Sequence, residues 1–258
     1  MEHRELPKSF RVDALEVRIY PRQEEMAAAG AAVAREHLAM CVARQGGARV
    51  ILATGNSQLQ FLERLIELGG VNWSKVTLFH MDEYLGIDAN HPASFRRYMR
   101  DRVESRLKPY QFHYIEGDAL EPLKECERYA RLVRALPIDL CCLGIGENGH
   151  LAFNDPPVAD FDDPLTVKLV KLDEPCRRQQ VGEGYFTEVA AVPQYAFTLT
   201  IPELCSAKKM IGIVPEKRKA VAVKNALHGP VSTACPGSFL RKQGHGTLFL
   251  DADSASLL

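Results

Sequence analysis

Between Leu143 and Pro156 the chain places Gly144, Gly146 and Gly149 around His150, with Asn148 two residues before the histidine and Asp155 five after it. Glycine lets the backbone approach a ligand and take positive φ, and imidazole gives and takes a proton near neutral pH. A carboxylate at Asp155 can orient that imidazole or act beside it. A Gly-x-Gly pair alone would read as a chain reversal with a structural histidine. The polar residues crowded here, Asn148, Asn154 and Asp155, favour a catalytic loop instead.

Two other short stretches carry chemistry. In Thr54-Gly55-Asn56-Ser57 an apolar run ends in small polar residues just where a helix begins. Such a junction offers free backbone N–H groups and the positive end of a helix dipole to an anion. Helix capping by Asn56 or Ser57 is an equally good account of these residues taken alone. The spacing and lysine of a nucleotide P-loop are missing, which disfavours nucleotide. The second stretch puts Asp82 and Glu83 at the end of another apolar run. Adjacent carboxylates there would be costly to desolvate and would have perturbed pKa values, which suits Asp82 to moving a proton, although an acidic pair taken alone reads as a solvated loop opening.

The elements that must position these groups alternate. Strands are expected at Leu15–Tyr20, Arg49–Ala53, Lys75–His80, Pro137–Leu143, Phe197–Thr200, Lys209–Val214 and Gly246–Leu250. Helices are expected at Gln23–Gln45, Leu59–Leu68, after Pro92, around Glu121–Ala135 and at Glu216–Ala226. This rhythm predicts an α/β fold: a mostly parallel, Rossmann-like sheet with helices on both faces, as one domain over residues 1–258. Ligands of such sheets sit at the carboxyl ends of the strands, where all three stretches fall. From Pro156 to Pro193 prolines and aspartates break the rhythm before a helix at Glu174–Val181, and the segment reads as a loop-rich excursion over the site or a plain surface insertion.

Composition narrows the class. Thirty-two Lys and Arg against 33 Asp and Glu leave no global field to attract nucleic acid or an anionic membrane. Seven scattered cysteines without a CxxC pair suit a reducing compartment and give little support to structural zinc. Met1–Phe10 lacks the apolar core of a leader, and no stretch reaches the roughly twenty apolar residues of a membrane span. A cytoplasmic location is the expectation.

Taken together, the motifs resemble the glucosamine-6-phosphate deaminase branch of a family that includes 6-phosphogluconolactonase, with ribose-5-phosphate isomerase-like folds. The residues that carry the resemblance are Thr54 to Gln58, Met81-Asp82-Glu83-Tyr84, His91-Pro92-Ala93-Ser94 and Gly144 to Pro156. A lactonase would show Asp-Glu-Arg and Gly-His-Thr where this chain has Asp82-Glu83-Tyr84 and Gly149-His150-Leu151. The resemblance implies conversion of glucosamine 6-phosphate and water to fructose 6-phosphate and ammonia, with no metal or organic cofactor. It implies that Asp82 moves the proton between C2 and C1. It also implies that His150, oriented by Asn148 and Asp155, opens the sugar ring. Phosphate would be held by Thr54, Gly55, Asn56, Ser57 and Lys219, although Lys219 read alone is one cation of a basic, solvated run.

Several positions depart from the family pattern. Gln58 replaces a proline, Asp155 a glutamate, and Asn148 an aspartate found in some members. No arginine lies in Gln179–Phe186, where members often clamp phosphate; Arg177 and Arg178 are the nearest substitutes. Pro157–Pro164 lacks the Gly-Ser-rich loop of allosterically regulated members, so a hyperbolic rate curve unaffected by N-acetylglucosamine 6-phosphate is expected. The rival readings are a lactonase or a deaminase for a related sugar phosphate, and a noncatalytic sugar-phosphate sensor. A homo-oligomer is compatible with all of these.

Overall fold

The long alanine-rich segment after Pro21 buries Met26, Ala27, Ala31, Ala34, Leu38 and Cys41, the three- and four-residue spacing of a helix with one apolar stripe. Small residues on that stripe let it lie close to the sheet. At Gly30 an added Cβ would stand 2.6 Å from Ile213 Cδ1. The computed structural model describes residues 8–258, so the leader reading of Met1–Phe10 falls mostly outside the described residues.

The chain runs β1 (Lys8–Val12), β2 (Leu15–Tyr20), α1 (Gln23–Gln45), β3 (Ala48–Leu52), α2 (Leu59–Leu68), β4 (Val76–His80) and β5 (Asp82–Tyr84). Then come α3 (Phe95–Met99), which continues through a π-helical stretch, Arg100–Glu104, into α4 (Ser105–Leu107), followed by β6 (Gln111–His113), α5 (Pro122–Arg134) and β7 (Leu140–Leu143). The last part comprises β8 (Val167–Lys171), α6 (Glu174–Gly182), β9 (Tyr195–Leu199), α7 (Ile201–Cys205), β10 (Met210–Val214), α8 (Ala220–His228) and β11 (Gly246–Asp251).

Eight strands form the main sheet in the order β1-β2-β11-β10-β7-β3-β4-β6, and every pairing except β1 with β2 is parallel. This is the expected α/β arrangement. From β3 the chain builds outward through β4 and β6, then returns to lay β7 on the other side of β3. The order therefore reverses between β3 and β7, where ligand crevices form in open α/β sheets.

The excursion after Pro156 is more ordered than its composition suggests. β8 pairs antiparallel with β9, and β9 with β5, making a second sheet of three strands. Tyr84, Phe95, Phe153, Val170, Leu172 and Ala196 share its separate apolar core. The helix expected from Glu216 starts later, because Glu216 takes φ 79 and Lys217–Lys219 forms a single 3-10 turn before α8.

Candidate active site

Three strand ends converge on one cavity. Leu52 of β3 is paired with His80 of β4 on one side and with Cys142 of β7 on the other, so the segments that follow these strands emerge side by side. Thr54, Gly55 and Ser57 leave β3, Asp82 follows β4, and Gly144, Gly146 and His150 follow β7; all line the same cavity, as does Lys219 beyond β10. Of the nine residues singled out from sequence, Asn56, Asn148 and Asp155 do not reach its wall.

Asp82 and Glu83 part company because successive strand residues face opposite ways. Asp82 points into the cavity, is 6 % exposed, and its Oδ1 has no hydrogen-bond partner. Burial, reinforced by the charge of Glu83, pushes the Asp82 carboxyl well above the usual carboxylate range. Glu83 is structural. It accepts from Tyr84 N–H (3.0 Å), Phe95 N–H (3.1 Å), Ser94 Oγ (2.8 Å) and Arg96 N–H (2.9 Å), closing the amino end of α3. The His91–Ser94 stretch thus supplies the turn that delivers these donors, and burial still raises the Glu83 pKa against them.

His150 stands against a backbone that only glycine allows, since a Cβ on Gly146 would meet its ring at 2.3 Å. Its Nδ1 lies 3.0 Å from Asp155 Oδ1. Asn148 fixes the loop from behind: its Oδ1 accepts from His150 N–H at 3.1 Å, and its Nδ2 donates to Asp155 Oδ1 at 3.0 Å. Burial would raise the Asp155 pKa, but His150 and the Asn148 and Asp173 donors outweigh it and hold the carboxyl low. Asp155 and Asn148 therefore orient the imidazole, one shell back from the cavity.

Asp173, missed in the sequence, completes this arrangement. It caps α6 by accepting from Cys176 N–H at 2.8 Å, donates its own N–H to Asp155 Oδ2 at 3.3 Å, and takes Asn148 Nδ2 at 3.3 Å. The signal was available, since an aspartate followed by Glu174-Pro175 is a helix-start pattern. Asn154 is also structural: its Nδ2 donates to the Leu151 and Leu199 carbonyls, pinning the loop to β9.

Gly55 turns at φ 104 to start the anion loop, and Asn56-Ser57-Gln58 forms a 3-10 turn into α2. Gln58, in place of a proline, is buried and donates to Ser57 Oγ and the Ile213 carbonyl, so it braces the loop. Asn56 faces α6 and donates to the Glu183 carbonyl at 3.1 Å. The reading of Lys219 as a solvated cation is overturned: it is 3 % exposed, and desolvation lowers its pKa despite the nearby charge of Glu183. The C-terminal end of α6 and the turn after it roof the cavity with Gln179, Gln180, Glu183 and Tyr185. Arg177 and Arg178 are not substitutes for a clamp there. Arg177 donates to the Val189 and Val192 carbonyls, and Arg178 pairs with Glu174.

A family model described as glucosamine-6-phosphate isomerases/6-phosphogluconolactonase matches residues 21–171, more than half of the chain and all three motifs. The chain belongs to this family. Relatives within it named glucosamine-6-phosphate deaminase include one from Exiguobacterium sibiricum, 34% identical over 82% of both chains. Another, from Listeria monocytogenes serotype 4a, is 35% identical over 80% of this chain and 86% of its own. A solved structure described as a monomeric glucosamine-6-phosphate deaminase superposes with a TM-score of 0.86 at 29% identity, covering 94% of this chain and 99% of that one. A 6-phosphogluconolactonase from Shewanella baltica OS155 shares the fold at a TM-score of 0.75 and 16% identity, covering 92% of this chain and 97% of its own.

Proposed function

We propose that this chain converts glucosamine 6-phosphate and water to fructose 6-phosphate and ammonia. The observation that carries the reading is that Asp82 and His150 line one cavity together with Thr54, Gly55, Ser57 and Lys219. An acid–base pair and an anion site in one cavity suit a sugar that reacts at C1 and C2 and carries phosphate on C6.

In this reading the phosphate accepts from the loop N–H groups, the Thr54 and Ser57 hydroxyls and the Lys219 ammonium. His150, oriented by Asp155 and Asn148, moves a proton between the C1 hydroxyl and the ring oxygen as the pyranose opens. Asp82 then takes the C2 proton and returns it to C1, and the resulting ketimine adds water and releases ammonia. The elevated Asp82 pKa fits an amino sugar: the substrate's C2 ammonium restores the carboxylate that an empty cavity disfavours. A base that is fully charged only opposite its substrate needs no permanent cationic neighbour. A cytoplasmic setting suits the seven unpaired cysteines, five of them buried. Among the described residues no helix is long and apolar enough to cross a membrane.

The test is to incubate the purified protein with glucosamine 6-phosphate and assay ammonia and fructose 6-phosphate together, with 6-phosphogluconolactone hydrolysis as a parallel arm. Equal amounts of both products are expected. Neither product at high enzyme concentration, or lactone hydrolysis alone, would sink the proposal. Asp82→Asn should abolish turnover while substrate still protects the protein from thermal unfolding, and unchanged turnover would remove Asp82 from its role.

A further inference from the structure

We propose that Arg218 is the second phosphate-binding cation of this site, and that Glu183 is an internal ligand which a phosphate monoester must displace. The proposal rests on the sugar-phosphate reading above and supplies the clamp that Arg177 and Arg178 do not.

Arg218 precedes Lys219 in the Lys217–Lys219 turn, and of the two cations Lys219 lines the cavity while Arg218 reaches it through its ion pair with Glu183. Its guanidinium is held by three carboxylates: Nη1 lies 3.1 Å from Glu147 Oε1 and 3.2 Å from Glu183 Oε1, and Nε donates to Glu216. Glu147 and Glu216 are half-buried or more exposed, whereas the Glu183 side chain is 7 % exposed and lines the cavity. Its Oε2 comes within 3.6 Å of the point where a Cβ on Gly55 would stand. Gln179 Nε2 donates to its Oε1 at 2.8 Å. Glu183 is also the largest attractive charge acting on Lys219.

A carboxylate against the loop glycine, paired with Arg218 in a cavity that Lys219 also lines, has the surroundings of a bound phosphate. Two anions cannot share that space, because each destabilises the charged form of the other. The free cavity is correspondingly small, about 70 Å³, where pockets for drug-sized ligands have roughly 300–1,000 Å³. Phosphate entry therefore removes Glu183 and passes Arg218 from carboxylate to phosphate. Gly182 and Gly184 flank Glu183 with open space beside them, and Gly184 sits at φ 83, so the turn has room to swing. Glu147 and Glu216 still hold Arg218 next to Lys219 when Glu183 leaves.

Calorimetric titration with inorganic phosphate at fixed low ionic strength tests this on the wild-type protein and on Glu183→Gln, Arg218→Gln, Arg218→Lys and Glu147→Gln. Glu183→Gln should bind phosphate about tenfold more tightly and Arg218→Gln about tenfold more weakly, each a shift of about 1.4 kcal/mol. Arg218→Lys should stay within about threefold of wild type, and Glu147→Gln within about twofold; both limits are set against that tenfold scale. Opposite signs from the two partners of one ion pair are what a purely structural bridge would not give. Weaker binding in both Gln variants, or unchanged binding in Arg218→Gln, overturns the proposal. Turnover of glucosamine 6-phosphate by the wild type is measured in parallel. No turnover with the opposed phosphate shifts intact sinks the deaminase reading alone, and normal turnover with parallel shifts sinks this proposal alone.

Discussion

The catalytic assignment depends on single atoms that nothing else in the protein uses. Asp82 Oδ1 is buried without a partner, and its carboxyl titrates well above the usual range. Between the ordinary carboxylate pKa of about 4 and the raised folded value, the native state holds a proton that the unfolded chain has lost. Stability therefore falls as pH rises through that window. Asp82→Asn should raise the melting temperature at pH 7, and the gain should vanish below about pH 4, where both states are protonated. Calorimetry across pH 3.5–8 checks this, and a lower melting temperature at neutral pH would contradict it. The same sign gives wild-type kcat/KM an acid limb well above pH 4. At Gly146 the issue is space. Gly146→Ala drives a methyl into the His150 ring, and displacing the imidazole by about 1 Å should cost about 10²-fold in kcat. Steady-state rates with folding followed by circular dichroism separate this from unfolding.

At the scale of elements, Asp82 stands where the chain leaves one sheet and joins another. β4 is parallel within the main sheet, yet from Asp82 the chain pairs antiparallel with β9. Glu83 makes that departure rigid by accepting the donors at the start of α3, with Arg96 Nε 3.6 Å away. Glu83→Ala would strand these groups in the interior and should destabilise the fold by about 3–5 kcal/mol, measured by urea unfolding. Little of the second sheet could be read in advance. β5 and β6 have three residues each, too short to establish alternation, and β8 follows a stretch of prolines and aspartates that argues for loop. β1 is mostly exposed and carries Lys8 and Arg11, so no apolar run announces it. The long helix α1 and the strands β3, β4, β7, β10 and β11 were legible because burial on both faces demands nearly continuous apolar runs. Lys219 could be placed only by resemblance, since burial of one lysine in Lys217-Arg218-Lys219 depends on contacts distant in sequence.

Over the whole molecule, the main sheet and the smaller one share core residues. One apolar cluster takes Leu15, Ile51, Phe79, Ile145 and Leu248 from around the large sheet together with Val167, Phe197 and Leu199 of the small one. We propose that residues 8–258 unfold as one unit. Scanning calorimetry should give a single transition, and two resolved transitions would argue against it.

Helix α6 bears on the reaction in a further way. Its first turn is tied through Asp173 to the partners of His150, and its far end leads into Glu183 beside Arg218. This helix of nine residues thus links the surroundings of His150 to Glu183. We propose that part of the energy gained on binding phosphate is used, through α6, to set the imidazole. Glucosamine without its phosphate should then lose kcat as well as affinity, and saturating it should not restore the rate. Free inorganic phosphate, supplied as a separate piece, should recover part of that lost turnover.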